Sequence, residues 1–150
     1  MAIEIGRAKT PWWFWLLGGL FLLWNVIGCA IYLMDQMTAD ATLLESYAER
    51  GQAMLDARNA YPIWATAAYA LAVWIGLLAS ILFLMRKKLS STLFIVSLIF
   101  ALICFIPTFT NAVVKAGGGD SYWVMPVIVV LIGAFEVLFA RKMQSRGVLR

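Results

Sequence analysis

Long apolar runs alternate with short polar stretches along this chain: Trp12 to Met34, Pro62 to Met85, Leu89 to Val114 and Tyr122 to Ala140. A helix needs roughly 20 consecutive apolar residues to cross hydrocarbon. Inside lipid a spanning segment must satisfy its own backbone, which a helix does alone. The pattern therefore predicts an all-α integral membrane four-helix bundle, a single membrane domain over 1–150. Its spans fall at about 12–34, 62–85, 89–114 and 122–140. Thr10-Pro11 reads as a helix start, with Thr10 as N-cap and Pro11 in the first turn. Trp12, Trp13 and Trp15 follow at once and suit the headgroup level.

Polar segments between the runs differ in kind. From Asp35 to Ala60, Leu43, Leu44, Tyr47, Met54 and Leu55 recur near the helical period. That spacing predicts an amphipathic helix over 39–58, interrupted near Gly51. Two roles stay open for it: a helix lying on the membrane–water boundary, or a lid or docking surface over an outward-facing cavity. Lys115 to Ser121, with Gly117, Gly118 and Gly119, reads as a short flexible turn.

Charge sets the expected orientation. Arg86-Lys87-Lys88 forms a purely basic turn, Arg7 and Lys9 mark the head, and Arg141, Lys142, Arg146 and Arg150 mark the tail. Basic clusters in short loops stay cytoplasmic. The first long loop carries five carboxylates against two arginines, a balance of −3. Both termini are thus expected in the cytoplasm of a multi-pass protein in a bacterial inner (plasma) membrane. Val26-Ile27-Gly28-Cys29 resembles a lipoprotein processing site, but the apolar run continues through Met34, where a mature lipoprotein would turn polar.

Composition agrees. Hydrophobic residues make up 63% and charged residues 13%, against roughly 45–50% and 25% in soluble domains. Mean hydropathy is +0.87. The net charge of +4 comes from residues beside apolar spans, so no nucleic-acid partner is expected. Without any histidine, His-ligated haem, the usual zinc sites and His-based proton transfer are excluded. Cys29 and Cys104 are too far apart in sequence to form a metal or redox motif. No phosphate loop, nucleophile elbow or carboxylate pair appears. No catalytic residue, metal site or cofactor is expected, and the chain does not read as an enzyme.

Three groups of residues carry what chemistry there is. Ala68, Ala72, Gly76 and Ser80 form a small-residue stripe that lets a second helix approach closely, from within the chain or from a neighbouring subunit. Ser97, Ala101, Cys104, Thr108 and Asn111 step by four and three along the third span, placing them on one face. With Asn25 and Tyr69 at matching heights, Asn25, Tyr69, Cys104, Thr108 and Asn111 are expected either to line a weakly polar cavity or to bond between helices. Pro107 is expected to kink the third span. Glu136 is the ionisable residue inside a span. A carboxylate there costs about 2.5–3.5 kcal/mol at mid-bilayer, so it serves either structurally, in an ion pair or by snorkelling to interfacial water on the cytoplasmic side, or in a proton or substrate role.

The stretch Ala68 to Leu78 (AYALAVWIGLL), followed by Arg86-Lys87 within this span pattern, resembles small bacterial four-helix inner-membrane proteins, some of them labelled sugar transporters. The resemblance implies the same architecture and brings no site residue with it. The expected function is a non-catalytic membrane module. It would be an accessory subunit of a larger complex or a homo-oligomer, with lipid and other membrane subunits as partners. The alternative is a small transporter or channel acting as a dimer, with the polar face of the third span lining its path.

Overall fold

A computed structural model describes residues 10–46 and 48–150. The basic head with Arg7 and Lys9, and Tyr47 of the amphipathic pattern, lie outside the described residues. In chain order the elements are α1 (Trp12–Met37), α2 (Asp40–Ser46), a 3-10 turn (Ala48–Arg50), α3 (Gly51–Ala60), α4 (Ile63–Leu84), α5 (Leu89–Cys104), α6 (Ile106–Thr110), α7 (Ala112–Gly118), a second 3-10 turn (Gly119–Ser121) and α8 (Val124–Ser145). No strand occurs among the described residues. Four segments are long and apolar enough to cross a membrane: α1, α4, α5 continued by α6, and α8. This is an all-α four-helix membrane bundle. Pro11 and Pro62, each with φ −68°, sit one residue before α1 and α4, so Pro11 rather than Thr10 occupies the N-cap position.

The helices pack in the order α1, α4, α5, α8. The ring closes between α8 and α1 through side chains, chiefly aromatic: Trp13 against Phe139, and Phe21 against Phe135 and Phe139. The largest fully buried side chains lie toward one end. Phe14, Phe21, Phe83, Phe94, Ala140 and Met143 form a solid core beside the Arg86-Lys87-Lys88 turn, with Phe14 stacked on Phe83 at 4.6 Å. Packing of this kind has to hold the helices together, because lipid offers no hydrophobic drive between them.

Two C-terminal turns finish that end. Helix α4 stops with Arg86 in the left-handed region (φ 61°), its N–H and that of Lys87 bonding back to Phe83 and Leu82. Helix α8 stops the same way at Gly147 (φ 69°), where Val148 N–H reaches Met143 O at 3.0 Å. The tail then joins the basic turn. Arg150 N–H donates to Arg86 O (2.6 Å), Lys88 N–H donates to Arg150 O (3.0 Å), and Arg86 Nε donates to Val148 O (3.0 Å). Val148 and Leu149 are buried beneath.

The opposite end is built from the short helices. The expected 39–58 helix is split into a hairpin of α2 and α3. At the fold a Cβ on Gly51 would lie 2.7 Å from Leu44 O, so only glycine lets the two backbones pass. Helix α3 packs on α7, and Arg50 Nη2 donates to Gly117 O at 2.9 Å. The stretch expected as a flexible glycine turn is thus the end of α7 and a 3-10 turn, held against α3.

The third span also departs from expectation. Rather than a kinked helix through Val114, it breaks at Phe105 and again at Asn111. Pro107 has no N–H, so the regular ladder fails one turn before it. Thr108 N–H turns back to Phe105 O at 3.1 Å, which leaves Cys104 O free of the helix. The Tyr61 hydroxyl donates to that carbonyl. Tyr61 stands just before α4, and burial pushes its phenol above the ordinary range, with the neighbouring Cys104 adding to the shift. It therefore remains a donor at neutral pH.

Candidate functional site

Small residues replace bulky ones in the half of the bundle nearest the α2–α3 hairpin, and a cavity of about 730 Å³ results. Its walls include Gly28 of α1, Ala72 of α4, Ala101 of α5 and Gly133 of α8, with Trp24, Tyr69, Phe94 and Phe105 supplying aromatic surface. Leu43, Met54, Ala57 and Asn59 of the hairpin line its far end, where Asp35, Gln36 and Arg58 add polar groups.

A buried polar layer separates this hollow from the aromatic core. Asn25 lies 13 residues after Trp12 and 12 before Met37, at the middle of α1. Its Nδ2 is 2.8 Å from Glu136 Oε1, 3.0 Å from Ser80 Oγ and 2.9 Å from Phe21 O. Two amide hydrogens therefore serve three acceptors. Ser80 in turn donates to Gly76 O at 2.9 Å. Gly76 makes the layer possible, because a Cβ there would overlap Asn25 Oδ1 and stand 2.9 Å from Ser97 Oγ. Ser97 donates to Ala72 O at 2.7 Å. The stripe of Ala68, Ala72, Gly76 and Ser80 is buried within the bundle, with Gly76 and Ser80 against Asn25 and Ala72 beside Ser97.

Glu136 lies nine residues before the last residue of α8. Helix α8 continues to Ser145 rather than ending near Ala140, so the carboxylate is about 14 Å from the helix end. It is 5% exposed and lines the cavity. Asn25 occupies one of its oxygens, and the other has no partner among the described residues. The interfacial ion pair considered for it does not form. Among the described residues the salt bridge is Arg58 with Asp40, at 3.6 Å near the cavity mouth. Arg58 also donates to Thr38 O at 2.7 Å, tying α3 to the end of α1.

Of the residues picked from sequence, Asn25, Tyr69, Cys104 and Thr108 line this one cavity, as do Ala101, Ser97 and Glu136. Asn111 does not. Its side chain accepts from Val113 N–H (3.0 Å) and Val114 N–H (3.4 Å) and so caps α7. The chain leaves the helix at Asn111 itself (φ −103°, ψ 117°), and a spacing that assumed one continuous helix no longer holds there. Cys29 and Cys104 are free thiols, donating to Val73 O and Ala101 O. Among the described residues no three of His, Cys, Asp and Glu gather as a metal site. Asp35, Arg58, Trp24 and Gly133 were not picked out. Asp35 ends an apolar run and Gly133 lies one turn before Glu136, faint signals that gain meaning only once the helices are assembled. No protein-family model, curated protein or solved structure matches this chain.

Proposed function

We propose that this chain is a non-catalytic inner-membrane protein of the small-transporter class, taking a small, largely apolar molecule into the cavity of a single bundle. With the basic turn and tail on the cytoplasmic side, the cavity faces outward beneath the α2–α3 hairpin. One observation carries the reading: a hollow of about 730 Å³, within the roughly 300–1,000 Å³ of small-molecule sites. Its apolar walls end on a few fixed polar groups. Accessory-subunit and homo-oligomer roles remain the second reading. The small-residue stripe that first suggested them packs inside the chain, which removes its support for an outside partner.

Thermal unfolding of the purified protein across a panel of small apolar compounds tests this, with Ala101→Leu as the filled-cavity control. Stabilisation of the wild type that disappears in A101L is expected. If no compound stabilises the wild type, and another membrane chain co-purifies in fixed ratio, the subunit reading replaces it. A reporter fused after Arg150 is expected to work only in the cytoplasm, and activity outside would reverse the orientation.

A further inference from the structure

Resting on the cavity reading, we infer that the ligand is a hydrophobic organic cation, its charge held by Glu136 and its body by aromatic walls. The lining contains three charged residues: Asp35, Arg58 and Glu136. Two are acidic. The basic one is engaged elsewhere, with its Nη1 on Thr38 O at 2.7 Å and 3.6 Å from Asp40. No cationic side chain among the described residues approaches Glu136 within 4.0 Å. Its carboxylate thus has one oxygen fixed by Asn25 and one without a partner at the cavity floor.

Held as an anion, a buried carboxylate of this kind is strongly unfavourable unless a positive charge meets it, the alternative being uptake of a proton. An ammonium or phosphonium group seated at the cavity floor supplies that charge. Trp24, Tyr69, Phe94 and Phe105 line the space around such a molecule, and aromatic rings attract cations over their faces. Asp35 at the mouth favours the same sign on entry. An anion of equal shape would meet two carboxylates and one neutralised arginine. The site selects charge as well as apolarity.

Three probes of similar aromatic shape decide the matter on protein in lipid nanodiscs, with empty nanodiscs as the partition reference: tetraphenylphosphonium (cation), tetraphenylborate (anion) and triphenylmethanol (neutral). Saturable tetraphenylphosphonium binding is expected, with tetraphenylborate at least about tenfold weaker. Glu136→Gln keeps an acceptor for Asn25 and should weaken the cation by about tenfold or more while leaving triphenylmethanol within about twofold. Equal binding of the two ions, or a cation affinity unchanged in E136Q, overturns the charge assignment while triphenylmethanol binding keeps the cavity reading alive. If none of the three binds the wild type, both fall together. Should E136Q fail to fold, Asp35→Asn removes the other carboxylate of the lining: discrimination between the two ions that persists in D35N supports Glu136 as the holder of the charge, and its loss there overturns that assignment.

Discussion

Gly76→Ala is the sharpest test of the polar layer. A methyl group at Gly76 would occupy the space of Asn25 Oδ1 and press on Ser97 Oγ at 2.9 Å. Two responses are open to the bundle. Helices α1 and α4 can separate, at an overpacking cost of about 1–3 kcal/mol. Alternatively Asn25 can swing away, giving up its bonds to Glu136 and Ser80 at about 0.6–1.7 kcal/mol each in a membrane protein. That second route also leaves the Glu136 carboxyl without a partner, for about 1–3 kcal/mol more. The cheaper route governs, and helix propensity returns up to about 1 kcal/mol. A net loss of about 1–2 kcal/mol is expected. Unfolding by SDS in mixed micelles, followed by tryptophan fluorescence, measures it. Gly19→Ala is the control, since a Cβ there meets nothing within 4 Å. In an Asn25→Ala background the overlapping oxygen is gone, and Gly76→Ala should cost about 1 kcal/mol or less. A wild-type-like G76A, or costs for G76A and N25A that simply add, would refute the proposed geometry.

Other expectations concern the two ends. Gly51→Ala and Gly117→Ala, whose Cβ atoms would strike Leu44 backbone and Ala57, should speed hydrogen exchange across 40–60 while the spans stay protected; unchanged exchange there counts against the docked hairpin. Tyr61→Phe should cost about 1 kcal/mol through loss of the bond to Cys104 O. Because burial raises the Tyr61 phenol, the unfolded chain ionises first, so its stabilising share is complete below about pH 10 and declines above it. Y61F should therefore lose less stability than wild type from pH 9.5 to 11 (roughly the tyrosine range), and parallel curves would contradict this. Gly147→Ala, at φ 69° with no steric neighbour, should cost about 1 kcal/mol from backbone strain alone. It should also quicken tryptic cleavage after Arg146, and an unchanged cleavage rate would argue against the tail clasp.

Much of this architecture was legible from periodicity. The four spans follow from run length, and the Ser97, Ala101, Cys104 and Thr108 face follows from steps of four and three on α5 and α6. Asn111 fell outside that logic because the helix ends there, its extended backbone (φ −103°, ψ 117°) separating α6 from α7. Asn25 and Glu136 each stood out as polar residues in apolar runs. Their pairing depends on the relative height of two helices 111 positions apart, which neither run encodes by itself. Gly51 was seen as an interruption, yet the hairpin it permits is fixed by contact with Leu44 and by α7, both nonlocal to a helical pattern. Arg141 and Lys142 mark the end of the apolar run but not of the helix, which continues to Ser145.

The tail clasp and the phenylalanine core lie at the same end of the molecule. Cohesion is consequently graded along the bundle axis, and local opening should need least free energy farthest from Arg86. Thermal motion then works like a pair of tweezers joined at its base. The tips separate while the joint holds, so entry of the proposed ligand would not require the four long helices to come apart.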